Sequence, residues 1–308
     1  MKRRIGIDLG GTTAKLGLTD ENGKILRRMV VDTGFGISGE ELKDRLLQGC
    51  LQLCPAEERQ NVSSIGIGVP GTVEKTGATL TFGPNLGVHN VSFAEAFRSA
   101  FDCPVCIEND ANCAALAELY QGAGQGLQDF LVVTLGTGVG GGMILGGRLY
   151  RGFNGIAGEI GHMVIRQGGR RCNCGKTGCL EAYASSLGLI QTAKEALEKR
   201  PKSKLRAIEK WSALAVLQAR DAGDLAAEQA FGQYVADLAC GLNNLIAVMQ
   251  FEKILLGGGI SGYGEKLLQP LREKVNAQLM EADCRQTEIS LAEAGNDAGI
   301  IGAAMLTE

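Results

Sequence analysis

Hydrophobic residues near the start of the chain occur in short runs that alternate with polar or glycine-rich turns. This pattern predicts buried β-strands over residues 4–9, 14–19 and 24–31, with a tight polar turn at residues 20–23. Because so short a turn joins neighbouring strands, the chain is predicted to begin with an antiparallel meander.

Apolar runs predict two further strands, over residues 64–69 and 104–107. The second of these delivers Glu108, Asn109 and Asp110 to its carboxyl end, which is where α/β sheets place their ligands. The other elements predicted in this half are helices over residues 39–53, 92–101 and 112–120, and a loop that holds Thr81, Asn85 and His89.

The second half of the chain begins with the same order of predicted elements as the first half. A strand over 130–135, a glycine loop over 136–142 and a strand over 143–145 match the strand, Gly/Thr turn and strand at the start. The elements predicted after them are helices within residues 183–250, a strand over 253–256, a helix over 262–279, a strand over 287–291 and a terminal apolar helix.

These patterns predict an α/β protein with two structurally related lobes. The 308 residues, of which 45% are apolar, suffice for two cores. We expect a small lobe from residues 1–112 plus 296–308, and a large lobe from residues 113–295.

Composition excludes several classes of protein. A net charge of −3 gives no electrostatic footprint for nucleic acid. No apolar run is long enough for a signal peptide or a membrane span, and the ten cysteines indicate a reducing compartment. We therefore expect a cytoplasmic protein that binds neither nucleic acid nor a membrane.

One short stretch carries three of these cysteines and one of the two histidines. His162, Cys172, Cys174 and Cys179 supply the Cys3His ligand set of structural zinc sites, within a glycine-rich loop. The alternatives are that buried thiols fall together by coincidence, or that they form disulfides. Glu159 and Glu181 bracket the stretch. We expect the metal to position both carboxylates and His162 at a substrate.

Three glycine turns follow predicted strands, and together they suit a cleft that holds a nucleotide. Glycine lets backbone N–H groups approach phosphate, although each turn alone is also explained by tight packing. Neither usual nucleotide fingerprint is present. Asp8 is expected to hold Mg²⁺ through water, and Lys15 either reaches phosphate or is a solvated strand-edge lysine. The candidate nucleotide-binding residues are Asp8, Gly10, Gly11, Thr12, Thr13, Lys15, Gly136, Thr137, Gly138, Gly257, Gly258 and Gly259.

Six motifs together resemble the ROK sugar kinases of the actin-like ATPase superfamily. They are DLGGTTAK (8–15), ENDAN (108–112), LGTGVGGG (135–142), GEIGH (158–162), CNCGKTGCLE (172–181) and LGGGIS (256–261). The resemblance implies a two-lobed actin-like ATPase fold, related to ribonuclease H, with a zinc loop over 162–179 in the larger lobe. ROK repressors carry a helix-turn-helix segment before the first strand, and this chain begins at the strand, which favours the kinase branch.

Phosphoryl transfer to a sugar needs a group that accepts the proton of the hydroxyl. A zinc-bound His162 cannot accept it, and His89 has no visible orienting partner, so a carboxylate is favoured. Asp110 is the candidate, although it could instead cap the following helix. The resemblance implies that Asp110 is the base, that His162 binds both zinc and sugar, and that the other sugar ligands are Gly71, Asn85, Asn109, Glu159 and Glu181.

The function expected from this resemblance is ATP-dependent phosphorylation of a hexose at its 6-hydroxyl, most simply of glucose. Val88 stands where glucokinases usually have Trp, which leaves open kinases for N-acetylmannosamine, N-acetylglucosamine, allose or fructose. A sugar-sensing regulator and a zinc-binding structural module are further alternatives. The resemblance also favours a homodimer.

Overall fold

The first β-sheet is built on the meander predicted from the start of the chain. In the computed structural model, which describes residues 2–34, 36–83, 86–278 and 287–306, its strand order is β3-β2-β1-β4-β8. The first three strands pair antiparallel, and β4 and β8 continue the sheet in parallel. The strands are β1 (Arg3–Leu9), β2 (Thr13–Asp20), β3 (Ile25–Asp32), β4 (Val62–Val69) and β8 (Val105–Asn109).

The second sheet has the same arrangement of strands, which confirms the predicted internal repeat. Its order is β11-β10-β9-β12-β13, with an antiparallel pair at one edge and a parallel pair at the other. The strands are β9 (Phe130–Leu135), β10 (Val139–Leu145), β11 (Arg148–Leu149), β12 (Lys253–Gly257) and β13 (Glu288–Leu291).

A third sheet occupies the segment that was predicted to be a loop, and that prediction is wrong. Thr81 and His89 lie in strands, while Asn85 falls outside the described residues. Buried Leu80 faces buried Val91 across the hairpin, so a small apolar pair stabilises strands too short to show a clear alternation. The strands are β5 (Thr72–Val73), β6 (Thr79–Gly83) and β7 (Val88–Ser92).

The helices of the described residues follow the predicted order, with changes at their ends. Residues 39–53 form a helix as predicted, and the Ser38 hydroxyl caps it by accepting the N–H of Glu41. The helix predicted over 262–279 begins later, because residues 259–263 form a 3₁₀ helix. The helices are α1 (Gly39–Leu53), α2 (Ala94–Arg98), α3 (Asp110–Gln121), α4 (Glu181–Ala184), α5 (Ser186–Glu198), α6 (Ala213–Asp221), α7 (Leu225–Met249), α8 (Glu265–Asn276) and α9 (Ala298–Ala304).

Glycines let α9 lie directly on the first sheet. A Cβ on Gly66 of β4 would lie 1.7 Å from the carbonyl oxygen of Ala303, and a Cβ on Gly302 would lie 1.7 Å from that of Cys113 in α3. These distances leave no room for a side chain, so backbone packs on backbone. Part of the high glycine content is therefore structural and lies in strands and helices, not in loops.

The described chain divides into two compact units. The first unit comprises residues 1–132, 142–158 and 292–308, and the second comprises residues 133–141 and 159–291. The predicted lobe boundaries at 112/113 and 295/296 stay a prediction. Among the described residues, no helix has the length and apolar character needed to cross a membrane.

Candidate active site and metal centre

The junction between β8 and α3 carries the candidate base. Asn109 is the N-cap of α3, and its Oδ1 accepts the N–H groups of Ala111 at 2.9 Å and of Asn112 at 3.4 Å. Asp110 is the first helical residue and is exposed, with its Oδ1 accepting the N–H of Ala111 at 2.9 Å. The cap that the sequence allowed to either residue therefore belongs to Asn109.

Gly71 lies beside this junction, as its predicted role requires. Asn109 Nδ2 donates to the carbonyl oxygen of Gly71 at 3.4 Å. A Cβ on Gly71 would lie 2.3 Å from the carbonyl oxygen of Phe82, so the position admits only glycine. Gly71, Asn109 and Asp110 are thus brought together, whereas the predicted sugar contact Asn85 lies outside the described residues.

Asp8 faces Lys15 across the first two strands. The two residues are register partners, and Lys15 Nζ lies 3.5 Å from Asp8 Oδ2 while donating to the carbonyl oxygen of Asn296 at 3.2 Å. Burial raises the pKa of Asp8 above its ordinary value, and the Lys15 ammonium opposes that rise. Gly299 packs against Asp8, since a Cβ there would lie 2.3 Å from Asp8 Cγ. Lys15 is therefore a partner of Asp8 and not a simply solvated lysine.

The turn after β1 presents exposed threonine residues. The Gly10 N–H donates to the carbonyl oxygen of Thr13 at 2.8 Å, which closes the turn that also contains Gly11. The Thr12 carbonyl oxygen accepts the N–H groups of Thr33 and of Gly34, so this backbone is held in place. Thr12 and Thr13 are both exposed, as a phosphate-binding turn requires.

The four predicted metal ligands lie together. Their ligand atoms are all within 4.8 Å of one another, with Cys172 Sγ 3.7 Å from His162 Nδ1 and Cys174 Sγ 3.7 Å from Cys179 Sγ. Ligands about 2.3 Å from a tetrahedral Zn²⁺ are about 3.8 Å apart, so the spacing fits a closed zinc site. All three thiols are free, which removes the disulfide alternative.

His162 is oriented as a metal ligand with one nitrogen to spare. Its Nδ1 faces Cys172, and its Nε2 lies 3.7 Å from Oε2 of Glu159. Glu159 is mostly exposed. A metal on Nδ1 would keep the proton on Nε2, so this edge of the loop can present one donor and one carboxylate acceptor.

Glu181 connects the metal cluster to the glycine loop before β10. Its Oε2 accepts the Val139 N–H at 3.1 Å, and its Oε1 lies 3.6 Å from Cys172 Sγ. A Cβ on Gly138 would lie 2.3 Å from Glu181 Oε2. The glycine loop, in which Thr137 is exposed, therefore wraps the Glu181 carboxylate closely.

The remaining glycine turns combine packing with an open backbone. The Gly136 carbonyl oxygen accepts the Ser186 N–H at 2.8 Å, which ties the loop to the start of α5. Gly258 has φ of +85°, and a Cβ there would lie 2.6 Å from the Leu135 carbonyl oxygen, so close packing explains it. Gly259 has no atom within 4 Å of such a Cβ, and Gly257 ends β12.

A family model described as the ROK family matches residues 4–308. The chain belongs to the ROK family. It is 37% identical to a glucokinase of Thermotoga maritima over 98% of this chain and 96% of that protein. It is 35% identical to a glucokinase of Halalkalibacterium halodurans, over 99% and 94%.

A solved ROK structure matches the whole chain as well. It is a glucokinase of Streptomyces griseus in complex with glucose and AMPPNP, with 34% identity, a TM-score of 0.81, and coverage of 99% of this chain and 98% of that one. These matches confirm the resemblance read from the six motifs, and with it the two-lobed actin-like fold.

The loop that carries the four candidate metal ligands also has an anchor that sequence reasoning missed. The guanidinium groups of Arg166 and Arg170 lie 4.5 Å and 4.8 Å from the centroid of the Tyr183 ring, whose hydroxyl accepts the Arg170 N–H at 2.7 Å. Arg166 also pairs with buried Asp237 of α7. Cation–π contacts leave no sequence pattern, so only the basic character of this stretch hinted at them.

Proposed function

We propose that this ROK chain transfers the γ-phosphoryl group of ATP to the 6-hydroxyl of a hexose, most simply glucose. The observation that carries the proposal is the exposed Asp110 carboxylate at the strand-to-helix junction, beside Asn109, in a chain that matches glucokinases over its full length. The Streptomyces griseus relative binds both glucose and AMPPNP, which supports this pair of substrates.

In this proposal Asp110 is the general base. Its carboxylate takes the proton of the 6-hydroxyl while that oxygen forms a bond to the γ-phosphorus of ATP. The bond from the γ-phosphorus to the bridging oxygen breaks, and ADP leaves with its electron pair. Asn109 is held as the cap of α3, so it can present its amide to the sugar without costly reorganisation.

The other proposed sugar ligands are Gly71 and Asn85 together with Glu159, His162 and Glu181. Carboxylates accept hydrogen bonds from sugar hydroxyls with charge-assisted strength, and a neutral imidazole N–H donates one. The assignment of these residues to one substrate rests on the motifs of the family, and for all of them except Asn85 also on the local geometry described above.

Val88 bears on which sugar is bound. Val88 is 4% exposed and is the first residue of β7, where it pairs with Gly83. A valine buried in this way does not present its side chain to a sugar. We infer that the absence of Trp at this position is compatible with glucose as the substrate.

ATP is proposed to lie on the three glycine turns, with its metal near Asp8. Mg²⁺, when bound, would neutralise charge on the phosphates. Asp8 supplies the oxygen ligand and Lys15 holds that carboxylate in place. The residues of these turns proposed to contact the nucleotide are Gly10, Gly11, Thr12, Thr13, Gly136, Thr137, Gly138, Gly257, Gly258 and Gly259.

Zinc is proposed to be structural. His162, Cys172, Cys174 and Cys179 complete four positions, so no position stays open for water or substrate. The metal would fix the positions of the Glu159 and Glu181 carboxylates and of the His162 imidazole relative to one another. A homodimer and a cytoplasmic location are part of the proposal as well, on the strength of family membership.

The test is a coupled assay of ADP release across hexoses and N-acetylhexosamines, read as relative kcat/KM. We expect glucose to lead, and Asp110→Asn to lower kcat by at least about a hundredfold while glucose still binds. If an N-acetylhexosamine gives the highest kcat/KM, the chain is a kinase for that sugar and not a glucokinase. Sugar binding without turnover in the wild type would favour a regulator and overturn the proposal.

A further inference from the structure

Glu108, the residue before Asn109 and Asp110, is a buried carboxylate. Only 4% of the residue is exposed. Burying a charged group is costly unless the charge is paired and its oxygens accept hydrogen bonds. The groups around Glu108 therefore indicate what its charge is used for.

Both Glu108 oxygens accept hydrogen bonds. Oε1 accepts the backbone N–H of Asn109 at 2.9 Å and Nδ2 of Asn112 at 2.9 Å, and Oε2 accepts Nε of Arg151 in an ion pair. The donors come from the end of β8, the first turn of α3 and the segment that follows β11. One carboxylate thus joins three parts of the first unit at the point where strand becomes helix.

We propose that Glu108 and Arg151 are a positioning pair that sets the direction of the Asn109 and Asp110 side chains for the phosphoryl transfer. The N–H that Glu108 accepts belongs to Asn109, whose backbone changes from extended to helical at this residue. A rotation there would turn both side chains at once. The inference rests on the proposed roles of Asn109 and Asp110, and it requires no contact of Glu108 or Arg151 with the substrate.

Arg151 is accessible from a cavity of about 190 Å³ within the first unit. Its side chain is 40% exposed, and the residues that share the cavity wall include Glu74, Lys75 and Gly155. Truncation of Arg151 would open this space further. A guanidinium ion, which has only four heavy atoms, can then enter and pair with Glu108 Oε2.

Chemical rescue is therefore the deciding experiment. In Arg151→Ala we expect kcat with glucose and ATP to fall about 10- to 100-fold, the loss typical of a misplaced reacting group, with KM for ATP changed less than about twofold. Millimolar guanidinium chloride should restore at least about a third of the lost kcat, whereas equal NaCl or urea should not. Arg45→Ala, which removes an exposed ion pair with Glu41, should keep wild-type kcat and show no response to guanidinium.

Glu108→Gln is the second variant, because it keeps the size of the side chain but removes the charge. Its kcat should fall without rescue by guanidinium, since the anion that would bind the ion is absent. Arg151→Lys should lie between wild type and Arg151→Ala, because a lysine retains the charge but not the directed Nε–H. Circular dichroism and melting temperature confirm that each variant is folded.

Wild-type kcat in Arg151→Ala would overturn the proposal, as would a folded Arg151→Ala that guanidinium fails to restore. Rescue of Glu108→Gln by guanidinium would also overturn it. A wild-type protein without kinase activity would instead contradict the proposed function. In that case, isothermal titration calorimetry with glucose tests the Glu108–Arg151 pair. Arg151→Ala should bind glucose more weakly than the wild type, and guanidinium should restore the affinity.

Discussion

Glu118 near the end of α3 offers a sharp test of how the structure holds its C-terminal segment. The residue is 1% exposed, and its carboxylate accepts the backbone N–H groups of Ala123, Glu293 and Ala294 at 2.7–3.1 Å. A carboxylate near a helix C-terminus is disfavoured by the helix dipole, so these three donors must compensate for it. We predict that Glu118→Gln loosens residues 293–294 locally.

The magnitude follows from the bonds that change. A hydrogen bond to a charged group contributes about 1.5–3 kcal/mol, and the glutamine amide keeps only one of the two acceptor oxygens. We expect a loss of about 2 kcal/mol at this point and about 3–5 kcal/mol for Glu118→Ala, which leaves three buried N–H groups without an acceptor. Since about 1.4 kcal/mol is a factor of ten, the amides should exchange roughly 30-fold faster in the glutamine variant.

Native-state hydrogen exchange of Ala123, Glu293 and Ala294 measures this directly. Glu40→Gln is the matched control, because the Glu40 side chain is 84% exposed and its change should alter stability by less than about 0.5 kcal/mol. KM for ATP should also rise in Glu118→Gln, because the loosened segment leads to the Asn296 carbonyl that accepts from Lys15. Unchanged exchange at all three amides would refute the reasoning.

Two further predictions concern the metal cluster and Asp8. Metal analysis of Cys174→Ser should show the loss of stoichiometric zinc, and its KM for glucose should rise by about 10- to 100-fold. Unchanged zinc content would remove Cys174 from the ligand set. Gly299→Ala should cost about 1–3 kcal/mol in urea unfolding and lower kcat, because its Cβ would lie 2.3 Å from Asp8 Cγ. Gly232→Ala is its control, because Gly232 is an exposed residue of α7 and a Cβ there meets no atom within 4 Å. This change should stabilise the helix by about 0.5–1 kcal/mol. Equal losses in both variants would count against the clash with Asp8.

Periodicity predicted the regular elements because burial of one face imposes it. The bounds of α1 and β9 agree with the predicted ones. Ser38 and Pro55 delimit α1, and β9 is an apolar run between Asp129 and Gly136. The β5-β6-β7 sheet was missed because strands of only two to five residues are too short to give such a signal.

Local chemistry predicted the ligand set of the metal cluster but not every role at the active site. Four ligand residues in one short loop are close in space because they are close in sequence. Asn109 and Asp110 are equally good helix caps, so only the backbone geometry shows that Asn109 is the cap. The pairing of Glu108 with Arg151 joins residues 43 positions apart, and no pattern in one sequence encodes it.

The two buried carboxylates before and near the end of α3 share a physical logic. Burying a charge adds little to stability compared with a well-packed apolar side chain, so stability alone does not explain Glu108 or Glu118. A buried carboxylate instead fixes the positions of the groups around it, because each of its oxygens must accept hydrogen bonds from donors in fixed places. Glu108 sets the strand-to-helix junction that presents Asp110, and Glu118 holds the segment that leads to Gly299 beside Asp8. Helix α3 thus positions the proposed base near one end and supports the carboxylate proposed for the phosphate side from the other.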